Sequence, residues 1–227
     1  MQYPNAYNGV KKIYTAQILA LVALFLMLIG LIGLIAALPS GDEVPDEVSG
    51  SLVLFAGLIL ISGIIDIVAF IINIVGLNSA KKDEEIFKKA VTWTIVAIVI
   101  AVVSSFMETG SMTGDLFRVV SDLANLLITI YIIQGIVSLA SRLNNQDIAE
   151  KGNKAIKIVL FVTIASAVLD AIAAFLPEQE SLTVADSVIS IIAIALQIFV
   201  TVVYLKLLSG ATKMLAQPES AVSAVEA

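Results

Sequence analysis

Six apolar runs, Ile13–Leu38, Leu52–Leu77, Val91–Met107, Phe117–Ala140, Ala155–Leu176 and Leu182–Leu208, constrain this chain more than any other feature. A helix needs about 20 apolar residues, within a range of roughly 17–25, to cross a hydrocarbon core. Each run is long enough. The strands of a membrane barrel would alternate over segments of about ten residues, and no segment here alternates. The expected fold is therefore all-α, a polytopic integral membrane protein with six transmembrane helices. The longest runs exceed a core of about 30 Å, so those helices should tilt or protrude. A soluble domain is about half apolar and a quarter charged, whereas this chain is 59% apolar and 14% charged.

Lys11 and Lys12 ahead of the first run also resemble the start of a signal peptide, with a cleavage site near Ala36-Ala37. The run is longer than the roughly 7–15 residues of a signal core, and it belongs to a repeat. Retention as the first helix is expected.

The repeat is carried by three elbows. Leu77-Asn78-Ser79-Ala80-Lys81-Lys82, Val137-Ser138-Leu139-Ala140-Ser141-Arg142 and Leu208-Ser209-Gly210-Ala211-Thr212-Lys213 share one pattern. An apolar residue is followed by Asn or Ser, any residue, Ala, any residue, then Lys or Arg. Each copy closes an apolar run and opens a polar segment. The odd runs also begin alike, at Lys11-Lys12-Ile13, Lys88-Lys89-Ala90-Val91 and Lys154-Ala155-Ile156, and end alike in two small residues before a large one. Such self-similarity reads as three two-helix repeats of about 11–82, 88–142 and 154–213. They would form one membrane domain over residues 1–215, followed by a short disordered cytoplasmic tail at 216–227. The arrangement resembles the mitochondrial carriers in architecture alone. The Pro-x-acid-x-x-base signature of that family is absent, so the resemblance carries no residue across.

Twelve of the 13 basic residues lie at one set of helix ends: Lys11, Lys12, Lys81, Lys82, Lys88, Lys89, Arg142, Lys151, Lys154, Lys157, Lys206 and Lys213. Only Arg118 lies at the other. The positive-inside rule then puts both termini in the cytoplasm, and the plasma membrane of a bacterium or archaeon is the expected location. The opposite loops are acidic, with Asp42, Glu43, Asp46, Glu47, Glu108, Asp115, Glu178 and Glu180. Such a rim would concentrate cations, but solvated carboxylates in a loop also need no special role.

Several chemistries are excluded. The chain has no Cys and no His, which removes disulfides, thiol nucleophiles, imidazole metal sites and a His base. No intramembrane-protease Gly-x-Gly-Asp, nucleophile elbow or Walker loop occurs. No enzyme activity, metal or cofactor is expected. The basic residues form short juxtamembrane clusters rather than a folded basic face, so no nucleic-acid partner is expected either.

Polar residues within the runs are the candidate site. Asp66 lies near the middle of the second run, with Ser62 and Asn73 within about 40° on a helical wheel. Asp122, Asn125 and Thr129 share a face of the fourth run, and Thr163, Ser166 and Asp170 one of the fifth. Asp186, Ser190, Gln197 and Thr201 line the sixth. The first and third runs instead carry small residues, Gly30, Gly33 and Ala37, and Ala97, Ala101 and Ser105. Small stripes let helix backbones approach closely.

A central Asp costs about 2.5–3.5 kcal/mol on insertion, while each Leu, Ile, Val or Phe returns about 0.3–0.6. The second run therefore inserts, with Asp66 expected to turn inward. Matching the elbows through Ala80, Ala140 and Ala211 aligns Asp66 with Leu126, next to Asn125, and with Gln197. On this reading Asp66, Gln197, Asn125, Asp122 and Asp170 form a cation- or proton-binding site. Asp66 would be the titrating group, and Gln197 and Asn125 neutral partners.

Two functions of different class remain. One is a small proton- or cation-linked transporter or channel. The other is a scaffold or accessory subunit whose polar stripes only pack helices or dock a partner. The expected partners are the lipid bilayer and either a small solute, proton or cation, or an oligomer or second membrane protein.

Overall fold

The computed structural model describes residues 2–37, 50–106, 112–174 and 184–217, with the backbone alone at 35–37, 112–115, 118, 169–174, 184–191 and 193. Six helices are present: α1 (Pro4–Ala37), α2 (Gly50–Ala80), α3 (Ile86–Ser104), α4 (Met112–Arg142), α5 (Gln146–Ala174) and α6 (Val184–Ala216). No strand occurs among the described residues. Among the described residues five stretches are long and apolar enough to cross a membrane: Pro4–Leu34, Gly50–Ala80, Ile86–Ser104, Val119–Arg142 and Ile194–Ala216. The apolar run of α5 continues to Leu176, beyond its described side chains. The protein is an all-α polytopic membrane protein. The acidic loop residues other than Asp115, which lies in the backbone-only start of α4, and the tail from residue 218 lie outside the described residues.

Helices start well before their apolar runs. α1 begins at Pro4 rather than near Ile13, α3 at Ile86 and α5 at Gln146. Proline suits the first helical position, where its missing N–H would have no helical acceptor. α1 has no acid of its own in its first turn, and a distant one supplies the cap. Asp83, in the α2–α3 turn, accepts from the Ala6 amide at 2.8 Å and from Asn5 Nδ2 at 2.9 Å. The Ser79 hydroxyl donates to the Asn5 carbonyl at 3.1 Å. A carboxylate on free N-terminal amides is favoured by hydrogen bonding and by the helix dipole. The polar opening segment is therefore helical and tied down.

The chain forms two compact units, Met1–Lys11 with Gly76–Ala227, and Lys12–Val75. In the larger, α3 packs on α4, α4 on α5, and α5 on α6, while α4 and α6 touch only lightly. Its fully buried side chains gather at the basic helix ends and include Val10, Leu77, Phe87, Ile132, Ile133, Ile136, Leu139 and Leu208. The elbow alanines Ala80, Ala140 and Ala211 are all 0% exposed. The opposite halves of the helices expose large apolar side chains, among them Phe161, Ile164 and Leu116, as lipid-facing surfaces do.

The α4–α5 turn shows how two asparagines stop one helix and start the next. Asn144 adopts a left-handed backbone, φ 53°, which Asn tolerates better than most residues. The Asn145 amide then reaches the Ala140 carbonyl at 2.8 Å, and the Asn144 amide reaches that of Ser141 at 3.2 Å. These are the two bonds of a Schellman motif. The Asn145 side chain meanwhile accepts from the Ile148 amide at 3.1 Å, capping α5.

The α2–α3 turn is held by a buried acid. Glu84 is 4% exposed; its Oε2 meets Arg142 Nη2 at 2.9 Å and accepts from the Ser138 hydroxyl at 3.0 Å. Ser138 and Arg142 are the second and sixth positions of the α4 elbow. Four residues apart, they fall on one helix face. Above them Lys89 lies 5.7 Å from the centre of the Tyr131 ring, a further α3–α4 contact.

Within the smaller unit α1 and α2 pack closely through Gly30 and Gly33. A Cβ on Gly30 would stand 2.8 Å from the Ile59 side chain and 3.1 Å from the Phe55 carbonyl, and one on Gly33 would enter the Phe55 ring. Those two small residues act as expected. The α3 stripe does not: Ala97 is half-buried, and Ala101 and Ser105 are exposed. The packed face of α3 runs through Phe87, Ala90 and Thr94 instead. The large Phe87 ring sits against Gly135, so α3 and α4 are closest at the basic end.

Gly9 gives a direct test of helix approach. A Cβ there would lie 2.6 Å from the Ala80 nitrogen and 2.6 Å from the Gly76 carbonyl oxygen, both backbone atoms that cannot rotate away. Gly9→Ala should lose about 1–3 kcal/mol by overpacking. At Gly210 the added Cβ meets only the Ile148 Cδ1 atom, at 2.7 Å. Gly210→Ala should be near neutral, because Ala in a helix gains roughly the 1 kcal/mol that Gly loses. Thermal melts in detergent compare the two, and equal midpoints would show that α1 does not depend on this close approach.

Candidate functional site: a polar cleft between α4, α5 and α6

In the larger unit a cleft of about 660 Å³ lies between α4, α5 and α6. α4 contributes Val119, Asp122, Leu123, Asn125, Leu126 and Thr129. α5 contributes Val159, Val162, Thr163, Ser166 and Ala167, and α6 Gln197 and Val200. The spacing explains why these meet. Asp122, Asn125 and Thr129 follow one another by three and four residues, as do Val159, Val162 and Ser166, and residues so spaced share a helix face. Asn125, Val162 and Gln197 stand near the middles of their helices. The cleft is therefore at mid-depth of the apolar spans rather than at a helix end.

Three of the sequence candidates, Asp122, Asn125 and Gln197, are brought together here with three hydroxyl residues. Asp122 engages another group of the protein. The hydroxyls of Thr129 and Thr163 donate to the carbonyls of Asn125 and Val159 at 3.0 and 2.9 Å. Thr201 bonds the Gln197 carbonyl in the same way at 2.9 Å, but does not line the cleft. The side chains of Asp170, Asp186 and Ser190 lie outside the described residues.

Asp66 is not among the residues of this cleft. It belongs to the smaller unit and is exposed, whereas Ser62 and Ala69 are 3% and 4% exposed. On the helical wheel both buried residues lie to the same side of Asp66, about 40° and 60° away. Within this unit α1 covers only a narrow stripe of α2, and Asp66 stands at the margin of that stripe. Gly63, one turn before it, has open space where a Cβ would be. Nearby, the Asn73 Oδ1 atom is buried without a hydrogen-bond partner among the described residues.

Two features escaped the sequence. Tyr204 is 5% exposed and its hydroxyl has no partner among the described residues. It lies seven residues after Gln197, hence on the same face of α6. The signal was there, since a tyrosine two turns from a polar residue extends the stripe. The other is the Asp83 and Glu84 pair, one capping α1 and the other buried against Arg142 and Ser138, roles that no local pattern signals.

Chemically the cleft offers a carboxylate, two carboxamides and three hydroxyls on an apolar wall. No group of three acidic, His or Cys side chains that could hold a metal occurs among the described residues. No Ser or Thr of the cleft has an imidazole to activate it, because the chain has no His. These groups can bind and orient a polar ligand. Comparison of the chain with known protein families, with curated proteins and with solved structures finds no match.

Proposed function

We propose that the protein is a small transporter or channel in which a proton or a cation, alone or with a small solute, is bound in the α4–α5–α6 cleft. The observation that carries this reading is a carboxylate and two carboxamides gathered at mid-depth of apolar helices. Ionisable groups at that depth are costly, and they mark ion or substrate pathways more often than not. The buried Tyr204 hydroxyl, on the face of α6 that carries Gln197, supports a polar path toward the basic end. The elbows, with a buried alanine in each, support a hairpin repeated three times in one six-helix domain. The clustered basic residues favour cytoplasmic termini in a bacterial or archaeal plasma membrane. No catalytic role is assigned.

Exposure of Asp66 favours a second reading, in which α2 docks another membrane helix and the protein is a scaffold or accessory subunit. Purified protein in liposomes separates the two. Under the transport reading, Asp122→Asn lowers proton or cation flux at least about tenfold while the detergent melting temperature holds. Asp66→Asn lowers it as well if Asp66 couples transport to a charge. No flux from the wild-type protein across inorganic cations and a solute library leaves the scaffold reading standing.

A further inference from the structure

We infer that the basic end of α3 is a binding site for an anionic phospholipid, its phosphate held by Lys88 and Lys89 and its acyl chains laid along Ile95, Val99 and Val102. The inference is independent of what the α4–α5–α6 cleft binds.

Helical spacing defines the face. Thr92, Ile95, Val99 and Val102 all lie within about 40° of Lys88 on a helical wheel, and all five residues are exposed. The packed residues Phe87, Ala90 and Thr94 lie about 100° or more away from Lys88 on the same wheel. The Thr92 hydroxyl donates to the Lys88 carbonyl at 3.1 Å. The stripe's one polar side chain short of Lys88 is thus satisfied within the helix, and the stripe is compatible with hydrocarbon. From Lys88 to Val99 the helix rises about 16–17 Å, close to half of a hydrocarbon core of about 30 Å. A lysine therefore heads an apolar stripe as long as one leaflet.

The flank of this stripe has headgroup chemistry. Lys89 Nζ lies 5.7 Å from the centre of the Tyr131 ring, and Trp93 follows one turn deeper on the same side of α3. Trp and Tyr collect at the level of the headgroups, where an amphipathic ring meets hydrocarbon and water together. The ring of Tyr131 holds the Lys89 ammonium at the α3–α4 seam. An ammonium has three donors, so it keeps N–H groups for a phosphate.

The surrounding charge favours an anion. Of the three acids in the α2–α3 turn, Asp83 caps α1 and Glu84 is enclosed with Arg142 and Ser138. Glu85 is exposed, one turn farther from the hydrocarbon than Lys89, in a segment with four lysines, Lys81, Lys82, Lys88 and Lys89. Helix stability does not explain the last two. A cation in a first turn opposes the helix dipole, and α3 has no acid in that turn to offset it. The positive-inside rule accounts for basic residues at this end. It does not account for one lysine in register with an exposed apolar stripe and a second over an interfacial ring. An anionic phospholipid matches both features, whereas a soluble anion matches the lysines alone.

Trp93 is the only tryptophan of the chain, so its fluorescence reports this helix alone. The experiment is quenching of that fluorescence in phosphatidylcholine liposomes carrying a minor, equal fraction of acyl-brominated phosphatidylglycerol or acyl-brominated phosphatidylcholine. The brominated phosphatidylglycerol is expected to quench at least about twofold more strongly, because the lysines enrich it beside α3. Lys88→Gln/Lys89→Gln, checked for an unchanged melting temperature in detergent, should be quenched equally by both. If that double variant does not fold, Lys88→Gln alone, which leaves Lys89 over Tyr131, should lose at least about half of the preference. Moving the reporter to the other end of α3, by Trp93→Phe with Phe106→Trp, should abolish the preference. Equal quenching by the two lipids in the wild-type protein overturns the inference, as does a preference that survives in the lysine variant or at residue 106. Quenching by neither lipid overturns it too, since protein rather than lipid would then cover this face.

Discussion

Arg142→Ala is expected to cost about 2–3 kcal/mol of stability, measured by thermal or denaturant melting in detergent. Removing one partner of a buried ion pair typically costs about 3–5 kcal/mol, because the other charge is left uncompensated. The Glu84 side chain is only 3% exposed and fits that case; the Arg142 side chain is 52% exposed, so water can reach the gap and moderates the loss. Ser138 remains as a donor to Glu84 Oε2. Ser138→Ala alone should cost about 1 kcal/mol, the usual net worth of a hydrogen bond. The informative variant is the double one. With Glu84→Gln there is no buried charge to strand, so Arg142→Ala added to it should cost well under 1 kcal/mol. If Arg142→Ala is equally harmless in the wild-type background, Glu84 is not held as a paired carboxylate and the α2–α3 turn is anchored by packing alone.

The second large effect is all-or-none. The chain contains no cysteine, so single cysteines report the side of the membrane without background. Cysteines at Ser49, Ser111 and Ser181 should react fully with an impermeant thiol reagent on intact cells. Cysteines at Glu85, Gln146 and Ser220 should react only after permeabilisation. Glu85 and Gln146 are exposed residues that flank α3 and α4, so they must share a side if both helices span. Ser79 makes a poor reporter, because its hydroxyl holds the Asn5 carbonyl. Labelling of Glu85 and Gln146 on opposite sides would remove a span from the α3–α4 pair and with it the hairpin repeat. The full pattern reversed would keep the hairpins and put the termini outside.

The same Glu84 and Arg142 mark where reading residues in order runs out. Lys81-Lys82-Asp83-Glu84-Glu85 in isolation is a charged turn whose side chains water would satisfy. That Asp83 caps α1 and Glu84 is enclosed by α4 depends on which helix ends meet, and nothing local to the turn encodes that. The place of Asp66 within its hairpin has a related cause. A helical wheel ranks faces by polarity, but a hairpin buries only the stripe its neighbour covers, and Asp66 fell at the margin of that stripe.

Along the chain, hydropathy alone determined that the protein is all-α and crosses a membrane, because a backbone in hydrocarbon must satisfy its own hydrogen bonds and long apolar runs do so only as helices. The polar faces of α4, α5 and α6 were equally legible, since three- and four-residue spacing is a property of a single helix. Which faces meet was decided only in three dimensions. Asp122, Asn125 and Gln197 share a cleft because α5 packs against both α4 and α6 while those two barely touch. On α3, Ala101 and Ser105 stayed exposed while the Phe87 ring, lodged against Gly135, makes the close α3–α4 contact at the basic end. Interhelical contacts depend on side-chain shape and backbone approach between residues far apart in sequence, and periodicity within one helix contains neither.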